Sequence, residues 1–132
     1  MIDDLAAIAT HWQPMNSAEL KQRTMEFAVR VLKLADSLPG QPSARTIAHQ
    51  IARSGTSVAA NYRAALRARS RADFINKITI VLEEADETGF WLELTEQTGL
   101  LPAKRLATLR MEAEELTKIF NATRMTARNH KS

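Results

Sequence analysis

Four stretches in which apolar residues recur every three or four positions, separated by short breaks at proline and glycine, leave this chain few folds to choose from. In the first, Asn16 or Ser17 can cap a helix, and Leu20, Phe27, Val31, Leu34 and Leu38 follow before Pro39-Gly40 stops the pattern. Pro42 and Ser43 open the second, where Ile47, Ile51, Ser54, Val58 and Tyr62 form one stripe. Ser70 and Asp73 resemble a capping box with aspartate in place of glutamate, so the chain is expected to break near Arg69 and start a third helix. Gly99 ends that helix and Pro102 opens the fourth, in which Leu106, Leu109, Ala113, Leu116 and Phe120 recur. No strand-like alternation of useful length competes. Helices of about 20 to 28 residues joined by short loops predict an all-α, up-down-up-down antiparallel four-helix bundle. The bundle is expected over residues 17–121. An N-terminal extension at 1–16 precedes it, and a basic flexible tail at 122–132 follows, because the period is lost after Asn121.

At 132 residues the chain suits one domain whose core needs no staples. It contains no cysteine, which removes disulfides, thiol nucleophiles and cysteine-held metal centres. Asp3 and Asp4 stand where a basic leader would be, and no apolar run approaches the roughly 20 residues of a membrane span, so a cytoplasmic location without membrane partners is expected. His11, His49 and His130 lie in separate segments, no Glu-x-x-His occurs, and there is no glycine-rich phosphate loop. No catalytic residue, metal ligand or cofactor is therefore assigned, and the chain is expected not to be an enzyme. Glu83 and Glu87 share a helix face, but without histidine they are expected to face solvent or pair with arginine.

The second helix is odd in its chemistry. Ser54, Gly55, Thr56 and Ser57 are weak helix formers, so tertiary packing must hold this segment, with small side chains, Ala52, Ala59 and Ala60 among them, allowing close approach of a neighbour. Asn61, in the middle of it, is expected to be a hydrogen-bonded amide. Net charge is only +3, yet it is unevenly spread. Residues 41–77 carry Arg45, Arg53, Arg63, Arg67, Arg69, Arg71 and Lys77 against Asp73 alone, whereas residues 78–98 carry Glu83, Glu84, Asp86, Glu87, Glu93 and Glu96 and no base. Two uses for the cations are open. They can bind phosphate backbones of RNA or DNA without sequence preference, or neutralise the acidic third helix.

Three ordered segments, QIARSGTSVAANY, SRADFINK and EADETGFWLEL, resemble the bacterial four-helix-bundle family named for proteins encoded in intervening sequences of 23S ribosomal RNA genes. That family includes the accessory variability determinant of diversity-generating retroelements. The resemblance covers Ile47 to Leu101 most closely. Ala64 and Ala65 depart from it, since relatives often carry glutamate and then glycine there. The resemblance implies a ring-like homopentamer without known enzymatic activity and, in the retroelement branch, a protein that binds nucleic acid and a reverse transcriptase.

Against that background Phe90 and Trp91 acquire a role. Adjacent residues on a helix point about 100° apart, so at least one ring must leave the intramolecular core, and a subunit interface is expected there together with Asp86 and Glu87. The leading expectation is a non-enzymatic, oligomeric, nucleic-acid-binding accessory protein, with the seven cations as its nucleic-acid surface and a reverse transcriptase as the further partner that the resemblance implies. The rival expectation is a structural or protein-interaction bundle whose charged faces serve self-assembly.

Overall fold

Four helices account for most of residues 16–129, the part of the chain that the computed structural model describes: α1 (Ser17–Asp36), α2 (Pro42–Leu66), α3 (Arg71–Gln97) and α4 (Ala103–Asn129). No strand occurs among the described residues. Their ends have local causes. Asn16 caps α1: its side-chain oxygen accepts from the Glu19 amide at 2.8 Å, and its amide donates back to the Glu19 carboxylate at 3.0 Å. Pro42 stands in the first turn of α2, where a missing amide hydrogen costs nothing. Ser70 accepts from the Asp73 amide at 3.0 Å, and Asp73 returns the bond to the Arg69 amide at 3.3 Å, so the capping box forms with its return bond shifted one residue upstream. At the end of α3, Gly99 adopts φ +73, and its amide and that of Leu100 bond to the carbonyls of Glu96 and Thr95 at 3.0 and 3.2 Å. This is a Schellman turn, and it needs the residue without a Cβ.

Packing follows a tighter rule than general amphipathicity. The buried positions of α3 are Phe74, Ile78, Val81, Ala85, Thr88, Leu92 and Thr95, and those of α4 are Leu106, Leu109, Ala113, Leu116, Phe120, Thr123 and Ala127. Both alternate spacings of three and four, the pattern of knobs meeting holes between nearly aligned helices. α2 packs against both α1 and α3, α3 also against α4, and α1 meets α4 more sparsely. Tyr62 and Phe120 touch across the core with ring centroids 5.3 Å apart. Burying hydroxyls in this seam requires partners: Thr88 and Thr95 reach the carbonyls of Glu84 and Trp91 at 2.8 and 2.7 Å. The Thr88 and Ser54 hydroxyls, both buried, also lie 2.8 Å apart and join α3 to α2.

The small residues of α2 do what their size suggests. A Cβ built on Gly55 would lie 2.5 Å from Cγ1 of Val31, so α1 approaches there more closely than any side chain permits. Asn61 is a hydrogen-bonded amide, donating to the Ser57 carbonyl at 2.9 Å and its hydroxyl at 2.8 Å.

One expectation needs correction. The chain does not become an irregular tail at 122: α4 continues to Asn129 with Thr123 and Ala127 buried. The physical reason is Arg71, whose guanidinium donates to the carbonyls of Ala127 at 2.6 Å and Arg128 at 2.7 Å and so satisfies groups that a helix end leaves open. The seam of α3 is a single stripe, and Ile80 and Phe90 stay exposed. The extension at 1–15, with Asp3, Asp4 and His11, and the last three residues, with His130, lie outside the described residues.

Candidate functional site

Three of the seven cations singled out by sequence, Arg53, Arg71 and Lys77, are engaged within the chain. Arg53, itself exposed, reaches across to α3, placing Nη1 2.8 Å from Glu84 and Nη2 against Glu87. The hydrogen bond to Glu84, and then that to Glu87, holds its guanidinium above the ordinary value. Arg45, His49 and Arg53 follow one another at i, i+4 and i+8 on α2, and this row ends in a neutralised group. Arg71 is occupied by the end of α4, and Lys77 stands 3.9 Å from Asp73 one turn back on α3.

Four cations remain. Arg45, Arg63, Arg67 and Arg69 are exposed, and among the described residues none has a carboxylate within salt-bridge distance. Arg45 shares a shallow depression with His49 at the start of α2, where the first turn holds no acid and Gln41 supplies no side-chain cap. Such a helix end favours anions. Arg63 and Arg67 stand one turn apart further along α2 and edge a different feature, an apolar groove between α1 and α2. Arg69 lies in the connection that leads into α3.

The aromatic pair separates as geometry requires. Phe90 is 53% exposed, while Trp91 is half-buried against the core and donates its indole hydrogen to Glu87 at 3.2 Å. The two rings meet edge to face at 4.9 Å. Glu87 thus serves Arg53 and Trp91 within the chain. Asp86 is exposed and borders a groove between α3 and α4, beside Phe90 and Glu93.

Sequence inspection missed the other wall of the α1–α2 groove. Met25, Val29 and Leu32 are 41, 43 and 42% exposed and follow one another at i, i+4 and i+7 on α1. The signal was present, as a second apolar stripe beside Leu20, Phe27 and Val31, but either stripe could have faced the core. Also missed was the α1–α4 tie, in which Arg23 grips Glu112 through two bonds of 2.7 Å; the hydrogen bond to Glu112 raises the guanidinium above its ordinary value.

Among the described residues no group of three or more His, Asp or Glu side chains could hold a metal ion, and no helix is long and apolar enough to cross a membrane. Tyr62 is the buried titratable group at the core; burial raises its phenol above the ordinary value.

Known proteins give the arrangement a family. No curated protein matches the chain. A crystal structure of a protein of unknown function from the S23 ribosomal protein family of Bacteroides thetaiotaomicron aligns with a TM-score of 0.77 at 38% sequence identity, covering 83% of this chain and 97% of that one. The family model described as 23S rRNA-intervening sequence protein matches residues 16–122. With the match running from the cap of α1 into α4, through the three segments that carried the resemblance, the chain belongs to the family of 23S rRNA-intervening sequence proteins.

Proposed function

We propose that this protein is a non-enzymatic, self-assembling accessory bundle, an up-down-up-down antiparallel monomer that closes into a homopentamer. The observation that carries this is the placement of large apolar side chains in water on two separate helix pairs, Met25, Val29 and Leu32 beside α2 and Phe90 beside α4. Clustered apolar surface rimmed by charge is what an interaction face offers, whereas isolated exposed residues need no explanation. The antiparallel course is supported by paired ends. Arg71, opening α3, meets carbonyls near the end of α4, while Glu96, near the end of α3, meets Arg110 near the start of α4 at 2.5 Å. In the same sense, Arg23 bonds Glu112 while Arg30, further along α1, bonds Thr108, earlier on α4.

Nucleic-acid binding is a second reading, favoured by the cations that have no carboxylate partner, above all Arg45 beside His49 at the anion-favouring start of α2. Fivefold repetition of such groups would create a strong local field. A reverse transcriptase is the protein partner that membership of the retroelement branch would supply.

Light scattering at micromolar concentration is expected to give a closed oligomer; a monomer would refute the proposal. Retention of single-stranded RNA, duplex DNA and RNA–DNA hybrid at low salt tests the second reading. Binding should fall by orders of magnitude as salt rises from about 50 to about 200 mM, and Arg45→Glu with Arg69→Glu should abolish it without changing the oligomer. No retention of any of the three at low salt would end that reading and leave assembly untouched.

A further inference from the structure

The α1–α2 groove and the α3–α4 groove are lined by opposite charge. The first, about 520 Å³ in volume, is walled by Met25, Val29 and Leu32, floored by small residues such as Ala60 and Ala64, and edged by Arg63 and Arg67. Nothing acidic lines it. The second, about 330 Å³, is bordered by Asp86, Glu93 and Glu114, with Phe90 at its edge. Its one base, Arg110, is already bonded to Glu96 at 2.5 Å. Asp86 and Glu93 stand four residues before and three after Phe90, so all three share one face of α3. The exposed ring is therefore flanked by two carboxylates that have no cation partner among the described residues. Trp91, tied to Glu87, is the less available of the two aromatics.

We propose that the α1–α2 groove of one chain receives Phe90 of a second copy, with Asp86 and Glu93 of that copy meeting Arg63 and Arg67. This rests on the self-assembly proposed above and assigns its contact surfaces. Charge complementarity selects the occupant: an apolar groove with two cations at its edge matches a ring between two carboxylates. A nucleic acid fits the groove poorly. It would want aromatic platforms for its bases, and the lining is aliphatic. A ring of five, as proposed above, uses this contact heterologously, groove to ring around the assembly. Each chain presents one groove and one ring, and successive additions continue until the assembly closes on itself. Arg63 and Arg67 then serve assembly, which leaves Arg45 and Arg69 as the cations for any anionic ligand.

Charge exchange tests this. Arg63→Glu with Arg67→Glu, and separately Asp86→Lys with Glu93→Lys, should each raise the concentration at which the oligomer dissociates by tenfold or more, as should Phe90→Ala. The quadruple variant that carries both exchanges restores opposite charges and should reassemble, which distinguishes a broken contact from a misfolded chain. If the wild type is an oligomer and both double variants remain equally assembled, this contact is wrong while self-assembly stands. A monomeric wild type overturns both. An assembled Arg63→Glu/Arg67→Glu variant that has lost retention of single-stranded RNA would give these cations to nucleic acid and refute the docking.

Discussion

Tyr62 is fully buried with its ring tilted against that of Phe120, and its hydroxyl has no hydrogen-bond partner among the described residues. A buried polar group without a partner forfeits its hydration for nothing, so its removal is cheap or favourable. Tyr62→Phe is accordingly expected to leave stability unchanged or raise it by up to about 1 kcal/mol, measured by urea unfolding. The same burial sets an alkaline limit. The folded phenol ionises above its ordinary value of 10.0 because burial disfavours the phenolate, while an unfolded chain ionises near that value. The unfolded state therefore binds fewer protons above about pH 10, and stability present below that pH is lost as pH rises towards the raised folded value. The melting temperature should fall between about pH 9 and about pH 11 more steeply in the wild type than in Tyr62→Phe. Equal slopes would show that the phenol is not the group responsible.

Elements in this bundle are held by exceptions to helix propensity as much as by conformity with it. Gly55 weakens α2 locally, yet its missing Cβ allows contact with Val31 that an alanine would turn into a 2.5 Å clash. Gly55→Ala should cost about 1 to 3 kcal/mol despite its better helix propensity, because overpacking outweighs the gain of about 1 kcal/mol. Val31→Ala added to it should recover part of the loss, a coupling that a double-mutant cycle would measure; additive effects would place the strain elsewhere. Arg71 acts on an element distant in sequence. Its two bonds to the last turn of α4 join an arginine to carbonyls 56 and 57 positions away. Arg71→Met should unprotect amides at 123–129 in hydrogen exchange while leaving α2 and α3 protected, with a stability loss of about 1 to 2 kcal/mol. Unchanged protection there would show that packing of Thr123 and Ala127 suffices.

At the scale of the whole molecule, charge and apolar surface are segregated between helix pairs. The basic segment is partly spent on internal ties, as Arg53 to Glu84 and Arg71 to α4 demonstrate, and among the cations left over Arg45 borders a depression at the start of α2 while Arg63 and Arg67 edge the α1–α2 groove. Assembly and nucleic-acid binding should then differ in their response to salt. Docking centred on an apolar ring persists when charge is screened, because the burial of Phe90 and the aliphatic groove does not depend on ionic strength, whereas phosphate contacts are lost steeply. Raising salt from about 50 to about 500 mM should weaken the oligomer only a few-fold by sedimentation, against orders of magnitude for any bound RNA. An oligomer that dissolved wholly in that range would be held by charge alone.

Helix number, the helix boundaries other than the end of α4, and the seam were legible from the residues themselves, because caps such as Asn16, Ser70 and Gly99 act over three or four positions and the apolar stripes repeat at the helix's own period. Even the close approach at Gly55 could be anticipated from its small neighbours. The fate of each charge could not. Arg53, Arg63 and Arg71 read alike as exposed-type cations on helical stretches, but one crosses to two glutamates, one edges an apolar groove and one caps a helix over fifty residues away. For the same reason α4 was expected to end at Asn121. Thr123 and Ala127 keep its three-four spacing but are too weakly apolar to signal it alone, and the group that satisfies its last carbonyls comes from the start of α3. Local hydrogen bonding and periodicity are written along the chain; which side chain meets a given arginine depends on the rotation of one helix against another, and only tertiary packing sets that rotation.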